Sequence, residues 1–570
     1  MSENKNLILA FVISLVILLG YDLLFMRPKM EAERARQAAE SEAAATPPAA
    51  AVGDLPPVRE TAVPISREDV IKQAPRIAIR SAKLTGSVSL VGGRIDDLVL
   101  TDYRTSLDKG APAVTLLSPV GSADAYFVDV GWAVAPGSGI DVPTADSVWS
   151  SRDTVLSPGK PVTLTWQSPQ GVTFTRTIAV DDNYLFTVTQ RVDNGSDKTL
   201  SMAPFALASR RGAPAGQATY ILHEGPIGVF GETLVEKSYG EIEEEGRFTQ
   251  QGAGGWLGMT DKYWLTALIP DQGHAYEGRF AFVGDNGAKR YQVDYRLDAR
   301  AIAPGQSSEV TSRIFAGAKV VSLLDDYEQK LGISRFDRGV DWGWFYWFTK
   351  PIFYTLHYFH NVMGNFGLAI MALTVLLKLA FFPLANKSYV AMNKMKQLQP
   401  KMQAIKERCG DDKLRMQQEM MELYKKEQVN PMAGCLPILL QIPVFFALYK
   451  VLFVTLEMRH APFYGWVHDL SAPDPLTVVN LFGLIPWDPP QLLAIGIWPI
   501  LMGVTMYIQQ RLNPTPPDPI QAKVMMFLPL IFTFMLASFP VGLVIYWTWN
   551  NLLSILQQWV IMKRMAAAPA

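Results

Sequence analysis

Cysteine, histidine and charged residues are all scarce in this chain of 570 residues. The two cysteines, Cys409 and Cys435, lie outside residues 76–336, which excludes a disulfide framework for that segment. The six histidines form no triad, and the pair His357 and His360 lacks a neighbouring glutamate and a third ligand. We therefore expect no metal, no cofactor and no catalytic site, so that the chain is not an enzyme.

Charged residues make up 18% of the chain, whereas a soluble protein has about a quarter. The deficit is concentrated in apolar runs that are long enough to cross about 30 Å of hydrocarbon. These runs lie near residues 7–25, 366–383, 435–456, 492–509, 524–539 and 541–560. No such run occurs in residues 76–336. The pattern predicts a polytopic α-helical membrane protein with six transmembrane helices and one large domain outside the bilayer.

The first apolar run is longer than the core of a signal peptide, and no small-residue cleavage site follows it closely. We interpret residues 1–26 as an uncleaved signal-anchor transmembrane helix, with a cleaved signal peptide as the alternative. Residues 27–75 are rich in Ala, Glu and Pro, which predicts a flexible linker. In residues 76–336, short runs with period two are separated by turn signals such as Asn194-Gly195. These runs predict a large all-β domain, a β-sandwich.

Basic residues are distributed unevenly between the loops. Residues 384–430 contain ten Lys or Arg, whereas residues 458–491 contain only Arg459. The positive-inside rule places the first loop and both termini in the cytoplasm, and the second loop and the β-domain outside. Four basic residues follow the first span and only Lys5 precedes it, which argues for the reverse orientation. We give more weight to the later loops, because long domains are translocated largely regardless of flanking charge.

Local composition also predicts the structure of the segments that follow the β-domain. Residues 337–350 combine aromatic residues with Lys350, which predicts an amphipathic helix at the membrane surface, with core packing as the alternative. Residues 384–430 predict two helices joined near Gly410, a cytoplasmic helical hairpin. The other segments are the second span at 351–383, the third span at 431–457, an outer loop at 458–491, three spans within 492–562 and a short tail at 563–570.

A single cation interrupts the second apolar run. An isolated ammonium at membrane depth costs about 2.5–3.5 kcal/mol on insertion scales, so Lys378 requires water or a partner. Thr374 lies four residues earlier on the same helix face. No acid in the other spans is placed to neutralise Lys378, and we therefore expect a hydrated pocket open to the cytoplasm. Other polar residues in the spans, such as Gln441 and Asn550, are of a type that often joins helices by hydrogen bonds.

Methionines form a stripe on each predicted helix of the hairpin. They are Met392, Met395, Met402, Met416 and Met420. Such a stripe indicates packing between the two helices, a soft surface for varied apolar partners, or both. The ten basic and six acidic residues of the hairpin predict a solvated face of paired charges, with RNA or anionic lipid head groups as alternative partners.

Three stretches of the sequence resemble the YidC-type family of membrane protein insertases. They are NPMAGCLP with QIPVF in residues 430–445, APF with WVHDLS in residues 461–471, and FPVGLVIYW with Asn550-Asn551 in residues 539–551. The β-domain resembles the family more loosely, through Gly255-Trp256 and the segment from Tyr263 to Pro270. That domain and the extra first span are similar to the Gram-negative form, which implies the bacterial inner membrane and a periplasmic β-domain.

The resemblance implies an insertase and chaperone that inserts nascent inner-membrane proteins through a hydrophilic groove open to cytoplasm and lipid. The family has a positive charge on its second span, usually arginine, and this chain has Lys378 there. Lysine can lose its proton when desolvated, so hydration of the groove must keep it charged. The implied groove residues are Lys378, Thr374, Gln441, Thr533, Tyr546 and Asn550, and the implied substrate contacts in the hairpin are the five methionines named above.

The same resemblance implies nascent membrane proteins, the Sec translocon and the lipid bilayer as partners, and no small-molecule substrate. It leaves open whether the ribosome and the signal recognition machinery bind the chain.

Two other classes of function fit parts of the sequence. A transporter or channel would use Lys378 as a substrate site, but the internal inverted repeats expected of many transporters are not apparent. A membrane-anchored enzyme or sugar-binding protein would act through the β-domain, where no paired carboxylates stand out.

Overall fold

The computed structural model describes residues 65–135, 138–214, 222–285, 288–410, 412–429, 436–481, 484–485, 494–513 and 519–567. The predicted anchor at 1–26 and the first part of the predicted linker lie outside the described residues. The described residues fall into two compact units, one of residues 391–429 and one of all the others.

Nineteen strands form the β-domain within the described ranges. The first ten are β1 Arg76–Arg80, β2 Leu84–Ser89, β3 Ile95–Arg104, β4 Ala113–Leu117, β5 Tyr126–Val134, β6 Val155–Leu156, β7 Val162–Gln167, β8 Val172–Val180, β9 Leu185–Asn194 and β10 Leu200–Arg211. The others are β11 Gly225–Phe230, β12 Thr233–Glu236, β13 Arg247–Ala253, β14 Gly255–Thr260, β15 Trp264–Ile269, β16 Ala275–Asp285, β17 Ala288–Leu297, β18 Arg300–Ile302 and β19 Ser307–Ala318.

These strands form two sheets. The larger sheet has the order β13-β16-β17-β10-β5-β3-β2-β1-β6, with β18 beside β10 and β4 beside β3. The smaller sheet has the order β12-β11-β14-β15-β19-β9-β8-β7. In β8 every second side chain is buried, as the period of a strand requires, and the inner row includes Phe174 and Arg176. The predicted β-rich domain is confirmed.

The glycine-rich segment before Trp256 is a tight turn between β13 and β14. Gly254 and Gly255 have φ values of 71° and 89°, which favour glycine. A Cβ at Gly255 would lie 2.0 Å from the carbonyl oxygen of Val229, so any side chain there would clash with backbone.

Eleven helices occur in the described residues. They are α1 Arg67–Lys72, α2 Tyr239–Glu245, α3 Val321–Leu331, α4 Tyr346–Met363, α5 Phe366–Ala380, α6 Phe382–Cys409, α7 Lys413–Lys426, α8 Leu436–Val454, α9 Ile497–Leu512, α10 Pro519–Leu536 and α11 Val541–Ala567. Helix α1 lies inside the stretch predicted as a flexible linker. Residues 65–75 are ordered because Ser66 caps the helix and Arg67 forms an ion pair with the buried carboxylate of Asp97.

The helix predicted at 337–350 lies further along the chain. It is α4, which begins at Tyr346 and ends at Met363, with Gly364 as its C-cap, so the first part of the second span predicted at 351–383 belongs to this helix. Core packing describes some of these aromatic residues and not others. Trp342 is buried in the core, whereas Trp344 and Trp347 are 84% and 70% exposed.

Lys350 joins α4 to the end of the β-domain. Its Nζ lies 2.9 Å from Asp325 Oδ1 on α3 and 2.6 Å from Asp337 Oδ2. Tyr346 donates a hydrogen bond to the same Asp337 oxygen at 2.6 Å. Asp325, Glu328 and Asp337 are close enough together to hold a metal ion, but the lysine already neutralises two of these carboxylates. The cluster is therefore a structural ion-pair network that fixes the direction of α4.

The second predicted span is bent. Helices α5 and α6 meet at an angle of 69° around Phe381. Pro383 explains the break, because proline has no N–H for the carbonyl of Leu379 and its ring would clash with that carbonyl. Proline is well tolerated in the first turn of the new helix.

The number of membrane spans stays a prediction. No single helix in the described part of the chain is long and apolar enough by itself to cross a membrane, whereas α5 and α6 together meet that test as a bent pair. Shorter apolar helices cover Gln441–Val454 and Ala522–Leu536.

The ion pairs of Lys350 predict a measurable contribution to stability. We expect Lys350→Met to lower the free energy of unfolding of the full chain in detergent by about 3–5 kcal/mol, because it leaves Asp337 buried without its cation. Circular dichroism during denaturant unfolding would measure the loss.

The matched control is Lys330→Met, which breaks an exposed pair with Asp326 and should cost less than about 1 kcal/mol. Equal losses for the two variants would contradict the role of Lys350 in holding α4 against the end of the β-domain.

Candidate functional site

Lys378 lies in the last turn of α5, and its main contact is with α11. Its Nζ donates a hydrogen bond to Ser554 Oγ at 2.7 Å, and Ser554 in turn donates to the carbonyl oxygen of Asn550 at 2.8 Å. The free carbonyl groups at the end of a helix carry partial negative charge, which favours a cation in the last turn. The break after α5 therefore places the ammonium where the helix itself stabilises it.

A cavity of about 90 Å³ surrounds this contact. It is lined by Thr374, Leu377, Lys378, Phe381, Ala385, Tyr389, Gln441, Val444, Gln509, Tyr546, Asn550 and Ser554. One water needs roughly 10–15 Å³ of such space, so several waters fit. The lining, all of it within the described residues, contains one cation and no carboxylate. The cavity thus combines apolar walls with several polar side chains and has an excess of positive charge.

The other polar side chains of the cavity hydrogen-bond chiefly to their own helix or face one another. Thr374 is buried and donates to the carbonyl oxygen of Ile370 at 2.7 Å. Gln441 Nε2 and the Tyr546 hydroxyl approach to 3.5 Å, which is long for a direct hydrogen bond. Gln441 and Tyr546 both line the cavity.

Five of the six predicted groove residues line this cavity, and Thr533 does not. Thr533 donates to the carbonyl oxygen of Pro529 in its own helix, α10. It packs against α9, where a Cβ at Gly503 would lie 2.1 Å from its Oγ1. Thr533 thus lies outside this cavity, where its small polar side chain allows close contact between two helices, and its assignment to the groove stays a prediction.

Three polar residues of the cavity were not predicted. Ser554 lies four residues after Asn550 on the same helix face, a spacing that identifies it in retrospect. Tyr389 belongs to α6, in the stretch interpreted as cytoplasmic hairpin. Gln509 gives no signal beyond being polar in an apolar helix, and single glutamines often only join helices.

The hairpin of α6 and α7 is a unit of its own. Met402 is buried with Leu398 and Val429, and Met395 and Met420 pack against them. These three predicted substrate contacts thus serve the packing of the hairpin. Met392 and Met416 are partly exposed.

The charges of the hairpin are paired in the way that the sequence favours. Lys401 binds Glu427 at 2.6 Å, and Arg415 binds Glu419 at 3.1 Å. Arg408 forms a second ion pair with Glu419.

Packing inside the hairpin predicts different roles for two methionines. We expect Met402→Ala to destabilise the hairpin by about 2–5 kcal/mol, because it leaves a cavity in the core. Faster tryptic cleavage between residues 391 and 429 of the full chain would report this local opening.

Met421→Ala is the matched control, since that side chain is 51% exposed. A rate of cleavage that rises equally in both variants would contradict the packing.

Comparison with known proteins agrees with this architecture. The family model described as 60Kd inner membrane protein matches residues 358–568, and the model described as YidC periplasmic domain matches residues 76–355. The membrane protein insertase YidC of Methylorubrum extorquens is 48% identical over 99% of this chain and 96% of its own length. That of Rhizobium etli is 47% identical over the same shares.

Among solved structures, the chain is similar to an active YidC insertase crystal structure with the first transmembrane domain resolved. That similarity has a TM-score of 0.35 and 16% identity, and it covers 85% of this chain and 94% of the other. The sequence relatives decide the assignment, because their identity is high and extends over nearly the whole length of both chains. The chain belongs to the YidC family of membrane protein insertases.

Proposed function

We propose that this chain inserts nascent membrane proteins by receiving their polar segments in the cavity around Lys378. The observation that supports this most is the composition of the cavity: one ammonium, several neutral hydrogen-bonding side chains and no carboxylate in its lining. Such a surface can replace water for a polar peptide segment and attracts an acidic one. The relatives named above are insertases, which agrees with this role.

The mechanism is non-enzymatic and follows from solvation. A charged residue at the centre of a bilayer costs about 2.5–3.5 kcal/mol on insertion scales. A wet cavity that reaches part of the way across the membrane shortens the apolar path for that residue. The apolar helix of the substrate then moves sideways into the lipid, because its free energy is lower there than in the cavity. Lys378 acts as a guide charge that is stabilised by Ser554 and by the end of α5.

A transporter is the weaker alternative for the same cavity. Residues in a transport site usually grip the substrate through charges of opposite sign or through several donors on broken helices. Here the single cation has a hydroxyl as its direct partner, and the neighbouring polar groups are neutral. This arrangement favours passing contact with varied peptides over tight binding of one small molecule.

We infer that the β-domain lies outside the inner membrane, in the periplasm, with both termini in the cytoplasm. The outer end of α8 supports this orientation, because it contacts the β-domain. Lys262 Nζ lies 3.8 Å from the ring centroid of Phe453, and Arg459 Nη2 donates to the carbonyl oxygen of Arg104 at 2.5 Å. The loop that begins at 458 therefore shares a side with the β-domain, and the positive-inside rule assigns this loop, which has a single basic residue, to the outside.

The six-span arrangement and the named partners complete the proposal. Five spans are assigned to the stretches around α5 with the start of α6, α8, α9, α10 and α11, and the sixth to residues 1–26. The Sec translocon, the ribosome and the signal recognition machinery stay predicted partners that rest on the family resemblance. The predicted contacts for the substrate in the hairpin stay Met392, Met395, Met402, Met416 and Met420.

Charge substitutions at Lys378 test the proposal. In a strain depleted of its own insertase, we expect Lys378→Arg to support insertion. Lys378→Glu should reduce insertion of a substrate with an acidic translocated segment about tenfold, because a nearby like charge costs one to several kcal/mol in a partly hydrated site. Protease accessibility of the translocated segment would measure insertion, with Lys378→Ala as the intermediate case.

Two controls make the test specific. The same substrate with its acids replaced by amides should insert equally well with Lys378→Glu and with the original lysine. Lys523→Glu changes an exposed lysine of α10 outside the cavity and should have no effect. Equal rescue by Arg, Ala and Glu at position 378 would refute the role of the charge.

A further inference from the structure

A small cavity lies inside the β-domain and shares no lining residue with the cavity around Lys378. Its volume is about 10 Å³, which is the space that one water-sized atom occupies. It is lined by Gly131, Trp132, Pro143, Trp149, Phe174, Thr175, Arg176 and Gln190. The question is what single atom would fill it.

Three buried nitrogen atoms at this cavity have no hydrogen-bond partner among the described residues. They are Trp149 Nε1, Arg176 Nε and Gln190 Nε2, and each side chain is at least nine-tenths buried. The indole and guanidinium nitrogens can only donate. A buried donor without an acceptor costs about 1–3 kcal/mol. An acceptor bound among these three donors would therefore stabilise the folded protein.

The fold brings these donors together. Arg176 and Gln190 face each other in register on β8 and β9. The guanidinium of Arg176 lies over the Trp149 ring, with its central carbon 4.7 Å from the ring centroid. A Cβ at Gly93 would lie 2.7 Å from Arg176 Nη1 and 3.0 Å from Trp149 Nε1, so this glycine has to lack a side chain.

The charge around the cavity is out of balance. Arg94 and Arg176 share a single carboxylate, Asp129, at 3.0 Å and 3.7 Å respectively. The other hydrogen bonds of Arg176 go to the carbonyl oxygens of Gly92, Gly93 and Val130, which are neutral acceptors. Burial lowers the pKa of Arg176 to about 10; Asp129 opposes this shift and Arg94 adds to it. One further negative charge would balance the two cations.

We propose that this cavity binds one halide-sized anion, chloride in practice, between Trp149, Arg176 and Gln190. The volume excludes polyatomic anions such as phosphate or a sugar acid. A water molecule would leave the positive charge uncompensated, and it has lone pairs for only two of the three donors. A bound chloride accepts from all three and links the two sheets through Asp129, Arg176 and the anion. The site does not depend on the insertase function.

Thermal unfolding of the full chain in detergent tests the site. We expect the midpoint to rise with chloride concentration when sodium gluconate keeps the ionic strength constant, because a ligand of the native state stabilises it by mass action. Sodium bromide should raise the midpoint in the same way as sodium chloride. Trp149→Phe and Gln190→Leu each remove one donor, and the apparent dissociation constant for chloride should increase about tenfold or more.

Trp166→Phe is the matched control. Trp166 lies on β7 with its ring centroid 5.6 Å from that of Phe174, but it does not line the cavity, so the chloride dependence should not change. A midpoint that follows ionic strength equally in chloride and gluconate would mean that water fills the cavity and would overturn the proposal. The same chloride dependence in Trp149→Phe and the unsubstituted chain would place the anion elsewhere and would overturn it too.

Discussion

Removing a cation from water costs several kcal/mol, and the structure depends on how each buried cation recovers that cost. Lys350 recovers it from the carboxylates of Asp325 and Asp337, and this ion pair holds α4 against the β-domain. Lys319 is completely buried and donates to the Thr260 hydroxyl at 3.0 Å. Its burial lowers its pKa to about 8, an effect that nearby acids partly offset. Cations with carboxylate partners fasten parts of the molecule together.

Lys378 differs from Lys350 because no carboxylate among the described residues forms an ion pair with it. It has the hydroxyl of Ser554, the negative end of α5 and a cavity with room for water, but no carboxylate in the cavity lining. A carboxylate partner would stabilise the ammonium of Lys378 further, but it would also keep that charge from interacting with any other group. An ammonium held by neutral groups stays available to an acidic segment, as the proposed function requires.

The periodic and compositional features of the sequence predicted the broad architecture correctly. Alternation with period two identified the β-domain, because a strand in a two-layer domain must bury every second side chain. The spacing of Thr374 and Lys378 placed both in one cavity, because residues four apart share a helix face. Boundaries were less predictable. The helix expected at 337–350 covers Tyr346–Met363 instead. Aromatic composition indicates the kind of surface that a segment forms, but not the residues at which a helix begins and ends. Thr533 shows the same limit, because its side chain is polar enough for a groove and small enough for a helix contact.

The sequence by itself determined which segments are apolar, which are basic and where a charge interrupts an apolar run, since these are properties of residue types and their order. Only the tertiary structure decided which polar groups meet. Ser554 is 176 residues from Lys378, and Asp129 lies between two arginines that are 82 residues apart in the chain. Contacts of that range depend on how strands pair and helices pack, which no local pattern specifies. The bend after α5 is intermediate: Pro383 indicates a break, but the fold determines that the resulting helix end faces a cavity with room for water.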